Sequence, residues 1–365
     1  MQVNGNRVLT YPDFLKGLDP KGKFLDRCID LATRANEMLQ DMTVVEGNNG
    51  SAMETTFRTE VPKPVWTQYY SGIPSNKGSK AKLKVACGQM ATKITIAKRL
   101  YDKAFSKGKA YADALLADEV EAAQEGMKLE MGNALIYGLL ADNPLGFNGL
   151  FKHYDRWGGD GCDDRNSAHY VINALKAYSG ETAADDIGNE NRLGSIALVG
   201  WAPNSITAFH AENHPSGGIE VTEKKEMQVP DPDMGADATF EAYVQYMYWE
   251  LGLAVRDFRC GGRICNIQRD KMTSGATREA RLASADAYIE LIDRLSQRVH
   301  EKGRQAWYMD KGMWENVEVA YSRATRSNAI TFQHVEQRKE RRLYGIPVRI
   351  MDCMKVNEEK VPAFA

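Results

Sequence analysis

The feature that most restricts the fold is a change of period between residues 51 and 141. Thr55, Phe57 and Thr59 alternate with polar or charged neighbours, and Lys80, Lys82 and Lys84 alternate with Ala81, Leu83 and Val85. Alternation resumes over Lys93 to Ala97, and Val65 to Tyr70 is rich in β-favouring residues. Between these limbs lies Gly72 to Ser79, a polar stretch holding Pro74, Asn76 and Gly78. Period-two alternation on both sides of such a tip predicts a long two-stranded excursion. An isolated hairpin is marginal in water. This one either folds back on its own domain or lies on something outside it. The period then lengthens. From Lys109 to Ala141, Leu116, Val120, Ala123, Met127, Met131, Ala134, Leu135 and Leu139 share one face, while Asp118, Glu121, Glu125 and Lys128 fall elsewhere. A helix of about 45–50 Å follows from a rise of 1.5 Å per residue, stopped by Asp142-Asn143-Pro144.

Elsewhere the pattern is mixed. An arm and helix are expected over 12–41, and a Gly/Asp-rich surface loop over Trp157 to Asn166. His169 to Tyr178 reads as a short helix, Ile196 to Val199 as a strand, and Asn204 to Ala211 as a short helix or turn. Strands are expected over Ile219 to Val229, Ala238 to Glu250, and Leu251 to Ile267 with a bend at Gly261-Gly262. A helix over Ala280 to Glu301 is closed by Gly303. Strand Ala306 to Met309, a helix Lys311 to Ser322 capped by Asp310, and strand Ile346 to Cys353 complete an α+β layer.

Composition excludes several classes. Hydrophobic residues make up 43% of the 365 positions and charged residues 26%, as in a folded globular chain. Sixteen Tyr, six Trp and eleven Phe argue against disorder. A net charge of −2 supplies no basic field to draw the protein to nucleic acid or an anionic membrane. No apolar run approaches the roughly 20 residues of a membrane span, and Met1 to Pro20 lacks the apolar core of a signal peptide. A protein made and used in a cytoplasm is expected. Cys28, Cys87, Cys162, Cys260, Cys265 and Cys353 contain no C-x-x-C pair and read as reduced thiols.

Chemistry finds little footing. His210-Ala211-Glu212-Asn213-His214 has metal-like spacing, but Ala211 stands where a metalloprotease needs Glu, and Pro215 ends any helix. Asp231, Asp233 and Asp237 lack the spacing and bidentate Glu of a calcium loop, and Asp160, Asp163 and Asp164 read as a solvated loop. There is no G-x-G-x-x-G, phosphate loop or G-x-S-x-G. No cofactor, metal site or catalytic residue is expected. Arg338-Lys339-Glu340-Arg341-Arg342 reads as a solvated face, with a contact surface as the alternative.

The order of arm, β-excursion and long helix resembles the Hong Kong 97-type fold of tailed-phage capsid proteins. Local segments are more specific: T-Y-P-D-F-L-K-G-L-D-P-K-G-K (Thr10 to Lys23), M-T-V-V-E-G-N (Met42 to Asn48), F-N-G-L (Phe147 to Leu150), A-L-V-G-W-A-P-N-S (Ala197 to Ser205), W-E-L-G-L-A-V-R-D-F-R (Trp249 to Arg259) and Y-G-I-P-V-R (Tyr344 to Arg349). They resemble the major capsid proteins of short-tailed phages related to epsilon-fifteen, in shared order across nearly the whole chain.

The resemblance implies an α+β capsid subunit with an N-terminal arm (1–50), an E-loop (51–104), the spine helix of a peripheral domain (105–150), peripheral strands with part of an axial domain (151–275), and an axial α+β unit (276–365). It implies an icosahedral shell of pentamers and hexamers around double-stranded DNA, assembled in the host bacterial cytoplasm and part of the virion. Portal and decoration proteins are the further partners. Many relatives carry a cleaved N-terminal scaffolding segment, whereas this chain starts almost at the arm, so a separate scaffolding protein is expected. The segment Trp307 to Val348 follows the strands that it precedes in the commoner arrangement, which implies a circularly permuted axial domain. Lys80, Lys82 and Lys84, with Lys77, Trp66 and Tyr69, are the candidate intersubunit contacts, the lysines facing acidic residues next door. The alternative function is a cellular nanocompartment shell of the same fold.

Overall fold

The computed structural model describes residues 37–106, 108–158, 162–175, 193–212, 218–231, 235–273, 275–324, 329–335 and 338–364. The expected helix over 12–41 lies mostly outside them; only its end, α1 (Met38–Asp41), is described. The chain is α+β and divides into two units.

One unit is built from Gln89–Met131 and Gly218–Glu250. It holds most of β4 (Gly88–Ala97), α2 (Lys98–Phe105), much of the long helix α3 (Lys109–Tyr137), β8 (Ile219–Val221), β9 (Lys225–Asp231) and the greater part of β10 (Gly235–Val255). The strand expected over Ile219 to Val229 is two strands, both antiparallel to β10. The break falls at Thr222, whose hydroxyl and amide hydrogen-bond Tyr246 and leave the ladder between them. Alternate residues Phe240, Ala242, Val244 and Tyr246 of β10 pack with Val229, as period-two side-chain placement requires. Lys98, at the unfavourable N-terminal end of a helix dipole, pairs with Glu226 and with Glu241 at 3.3 Å. Lys224 sits over the rings of Tyr101 and Tyr243. These contacts fasten α2 to the β-ribbon.

The other unit comprises 37–88, 132–212 and 251–364. At its centre is β6 (Leu193–Trp201), all nine residues of which are buried. A continuous apolar run suits a strand covered on both faces. Antiparallel to it run β11 (Gly261–Gln268) and β12 (Arg304–Met309). Strand β15 (Ile346–Ile350) lies parallel to β12. Beyond β15 come β14 (Arg338–Leu343) and β13 (Ile330–Val335). Helix α5 (Arg278–Arg298) buries Ala285, Tyr288, Ile289, Ile292 and Leu295 and packs on β11 and on α6 (Lys311–Arg323). Asp310 caps α6 by accepting from Gly312 N at 2.9 Å, as expected.

Several expectations are corrected here. Asn204 to Ala211 is not a helix: Ile206–His210 is strand β7, wholly buried between parallel β1 (Val44–Glu46) and antiparallel Gly252–Val255. His169 lies in a short 3-10 turn, Ser167–Tyr170, followed by strand β5 (Val171–Asn173). No separate strand begins at Leu251: β10 runs on to Val255, and Asp257 caps a 3-10 turn before β11. Helix α5 ends at Arg298, and Gly303 (φ +70°) instead turns the chain tightly against the Trp201 carbonyl. Helix α3 stops at Tyr137, four residues early, and the one-turn helix α4 (Leu150–His153) follows it. The run Arg338 to Arg342, for which no element is expected from the sequence, is part of strand β14, in which Glu340 takes Arg342 at 2.9 Å and Arg349 at 3.4 Å.

Candidate assembly surface

The β-excursion forms as expected in its shaft. Strands β2 (Ala52–Arg58) and β3 (Lys80–Ala86) pair antiparallel from Ala52↔Ala86 to Arg58↔Lys80. Directly opposed residues share a face. Met53, Thr55, Phe57, Ala81, Leu83 and Val85 therefore lie on one face, and Glu54, Thr56, Arg58, Lys80, Lys82 and Lys84 on the other. At the root the apolar face is core: Met53, Phe209 and Ala254 are buried together, with Val45, Val85 and Cys87 packed against them. Outward it opens, and Phe57 is 43% exposed.

Beyond Arg58 the limbs run on without strand pairing. Val65 to Tyr70 is not a strand, because the ladder has ended at Lys80 and Pro62 and Pro64 offer no N–H. The limbs are tied instead by Thr59 N donating to Ser79 O at 3.0 Å and Asn76 Nδ2 donating to Lys63 O at 2.5 Å. Gly78 passes so close to the Glu60 carbonyl that a Cβ would stand 2.9 Å from it. Val61, Val65, Trp66, Tyr69, Tyr70 and Ile73 are all exposed, the aromatic three as fully as isolated residues. Contiguous exposed apolar side chains of this size mark an interaction surface.

The candidate residues separate into two places. Lys77, Trp66 and Tyr69 lie on the tip, whereas Lys80, Lys82 and Lys84 lie on the shaft. Lys82 is ion-paired with Glu54 of its own chain, and Lys84 stands 3.7 Å from the same carboxylate. The Lys82 ammonium, followed by the Asn49 amide, holds the Glu54 carboxyl below its ordinary range. Asn48 locks the same residue by accepting from Glu54 N at 2.7 Å and donating to its carbonyl at 2.8 Å. Sequence reasoning missed Val61, Val65, Tyr70 and Ile73; the available signal was large apolar side chains set among prolines and polar residues. His210 lies on β7 with Nδ1 2.9 Å from the Ala211 carbonyl, so the helical-face argument does not apply to it. His214 is outside the described residues, among which no group of three His, Cys, Asp or Glu is placed to hold a metal.

A two-stranded arm, a 29-residue helix and a central sheet flanked by paired helices define a shell-forming subunit of the Hong Kong 97-type fold. Residues 19–362 match the family described as major capsid protein GP7, and the chain belongs to that family. The structure of bacteriophage Epsilon15 contains a chain of 21% identity, with 99% of each chain covered and a TM-score of 0.66. A chain of the bacteriophage JBD30 capsid is 11% identical, with 96% of this chain and 100% of that one covered and a TM-score of 0.46. No match was found among curated proteins. The protein is a phage major capsid protein, a component of the virion shell built from repeated copies of one subunit, and the nanocompartment alternative gives way.

Proposed function

We propose that the arm is the element by which each subunit grips a second copy, and that its tip, with Trp66, Tyr69 and Lys77, belongs to that contact. The observation that carries this reading is the exposed apolar tip on an arm whose buried contacts lie at its root. Such a surface is stabilised only when another molecule covers it. The shell is icosahedral, made of pentamers and hexamers around double-stranded DNA, and forms in the host bacterial cytoplasm with a scaffolding protein and a portal. DNA is touched weakly and without sequence preference, in keeping with a net charge of −2. The subunit acts as a building block without a catalytic centre.

The test replaces Glu60 to Gly78 by a short Gly-Ser turn, supplies the scaffold, and follows folding by circular dichroism and shells by electron microscopy. A folded subunit that no longer closes shells, or closes shells of reduced heat resistance, is the expected result. Shells of undiminished heat resistance would overturn the reading.

A further inference from the structure

We infer that the arm docks on the second copy through its apolar face, leaving the lysine face in water. The inference rests on the reading of the arm as an intersubunit element and states which side of it makes the contact.

Three observations point the same way. The first is continuity. The face carrying Met53, Thr55, Phe57, Ala81, Leu83 and Val85 begins inside the buried cluster with Phe209 and Ala254 and ends exposed at Phe57. It leads directly into the tip, where Trp66, Tyr69 and Tyr70 are fully exposed. The apolar face thus runs from the subunit core out to Phe57, and the tip that follows carries exposed aromatic residues, the usual anchors of an interface.

The second observation is that the lysine face is partly satisfied at home. Glu54 takes Lys82 and approaches Lys84 at 3.7 Å within the same chain. A partner's carboxylate would have to displace that arrangement to gain them.

The third is the like-charge pair. Arg58 and Lys80 stand directly opposite one another in the ladder. Like charges facing across strands repel. Water and salt screen that repulsion while the face stays exposed, and covering it would strip the screening away. The covered face is therefore the other one.

The occupant is a second copy, because the chain belongs to a family whose members build a shell from one repeated subunit. The partner surface it fits is apolar rather than acidic. This reverses the expectation that the lysines reach for acidic residues.

The experiment compares two full-length variants, Phe57→Ser/Leu83→Ser and Lys80→Gln/Lys82→Gln/Lys84→Gln, by sedimentation of assembling mixtures. The apolar variant should raise the assembly threshold concentration about tenfold or more and the lysine variant less than about threefold. Raising NaCl from about 50 mM to about 500 mM should not raise the threshold of the unaltered protein. A footprint covers the case of a misfolded variant. Leu83→Cys should be labelled by a maleimide about tenfold or more slowly in shells than in free subunits, and Lys80→Cys at the same rate in both. The inference is overturned if the lysine variant and high salt abolish assembly, or if position 80 is protected and position 83 is not. Failure of the underlying reading looks different: replacing the tip, the apolar face or the lysines would then leave assembly and footprint unchanged.

Discussion

Arg263 Nη2 lies 2.8 Å from Glu358 Oε2, with both side chains almost wholly buried. The carboxylate also accepts from Tyr137 OH at 2.6 Å and from the Ser195 hydroxyl. Arg263 donates through Nε to Ser195 Oγ at 3.0 Å, and its guanidinium covers the Phe151 ring. Burial, then the Glu358 charge, drives the Tyr137 phenol well above its ordinary pKa and keeps it a donor. Three residues on, Asn266 accepts from Val361 N at 2.8 Å and donates to its carbonyl at 3.1 Å. The C-terminal segment is thus fastened to β6 and β11 by a buried charge and a side chain that imitates a strand.

Removing one partner of that pair leaves an uncompensated buried charge. Glu358→Ala should lower the stability of the unassembled subunit by about 3–5 kcal/mol, seen as a reduced urea midpoint. The paired replacement Arg263→Met/Glu358→Leu should cost much less, since well-packed apolar side chains can replace a buried ion pair without loss. Equal losses in the two variants would show that the charge is not the cause.

Gly138→Ala should destabilise by about 1–3 kcal/mol, the usual cost of overpacking. A Cβ there would strike the Ala134 carbonyl and stand 2.6 Å from the Phe147 carbonyl, both rigid backbone. Gly149 N donates to the Gly138 carbonyl at 2.8 Å, so the returning loop cannot withdraw freely. Thermal unfolding of the free subunit measures the effect, and an unchanged Tm would refute it.

Asp257 gives a pH dependence of defined sign. Its Oδ1 accepts from Arg259 Nε at 2.8 Å, and its Oδ2 from Arg259 Nη2 and Lys302 Nζ, each at 3.0 Å. Burial pushes the carboxyl up, but Arg259 and Lys302 outweigh it and hold it well below the usual range. A depressed folded pKa contributes stability that is present above the unfolded value of about 4 and is lost as pH falls below it. Asp257→Asn should therefore cost about 1 kcal/mol at near-neutral pH and progressively less below about pH 4. Denaturation midpoints of both proteins across that range provide the check; a gap that widens on acidification would contradict it.

Cys260 and Cys265 should resist thiol reagents in the native subunit. Burial pushes the Cys260 thiol up to about 11 and the Cys265 thiol up to about 12, so the reactive thiolate is scarce at about pH 8. Peptide mapping after alkylation should find both unmodified until the chain is denatured.

Local periodicity settled much of this fold. Strands β2 and β3, helix α3 and the Asp310-capped helix α6 were legible because each repeats its pattern over neighbouring residues, and the family resemblance rested on contiguous motifs. What periodicity left open was decided by partners distant in the chain. Ile206–His210 is a strand because Val44↔Ala208 and Leu253↔Ala208 pair across it, a relation that no pattern within five residues records. Asp41 is buried because Arg349, 308 positions away, meets it at 2.6 Å. The lysines of the arm followed the alternation as read, yet their cis partner Glu54 became visible only with the register of β2 on β3. A side chain's period is a property of its own backbone, whereas its burial and its ion partner depend on which other strand lies beside it.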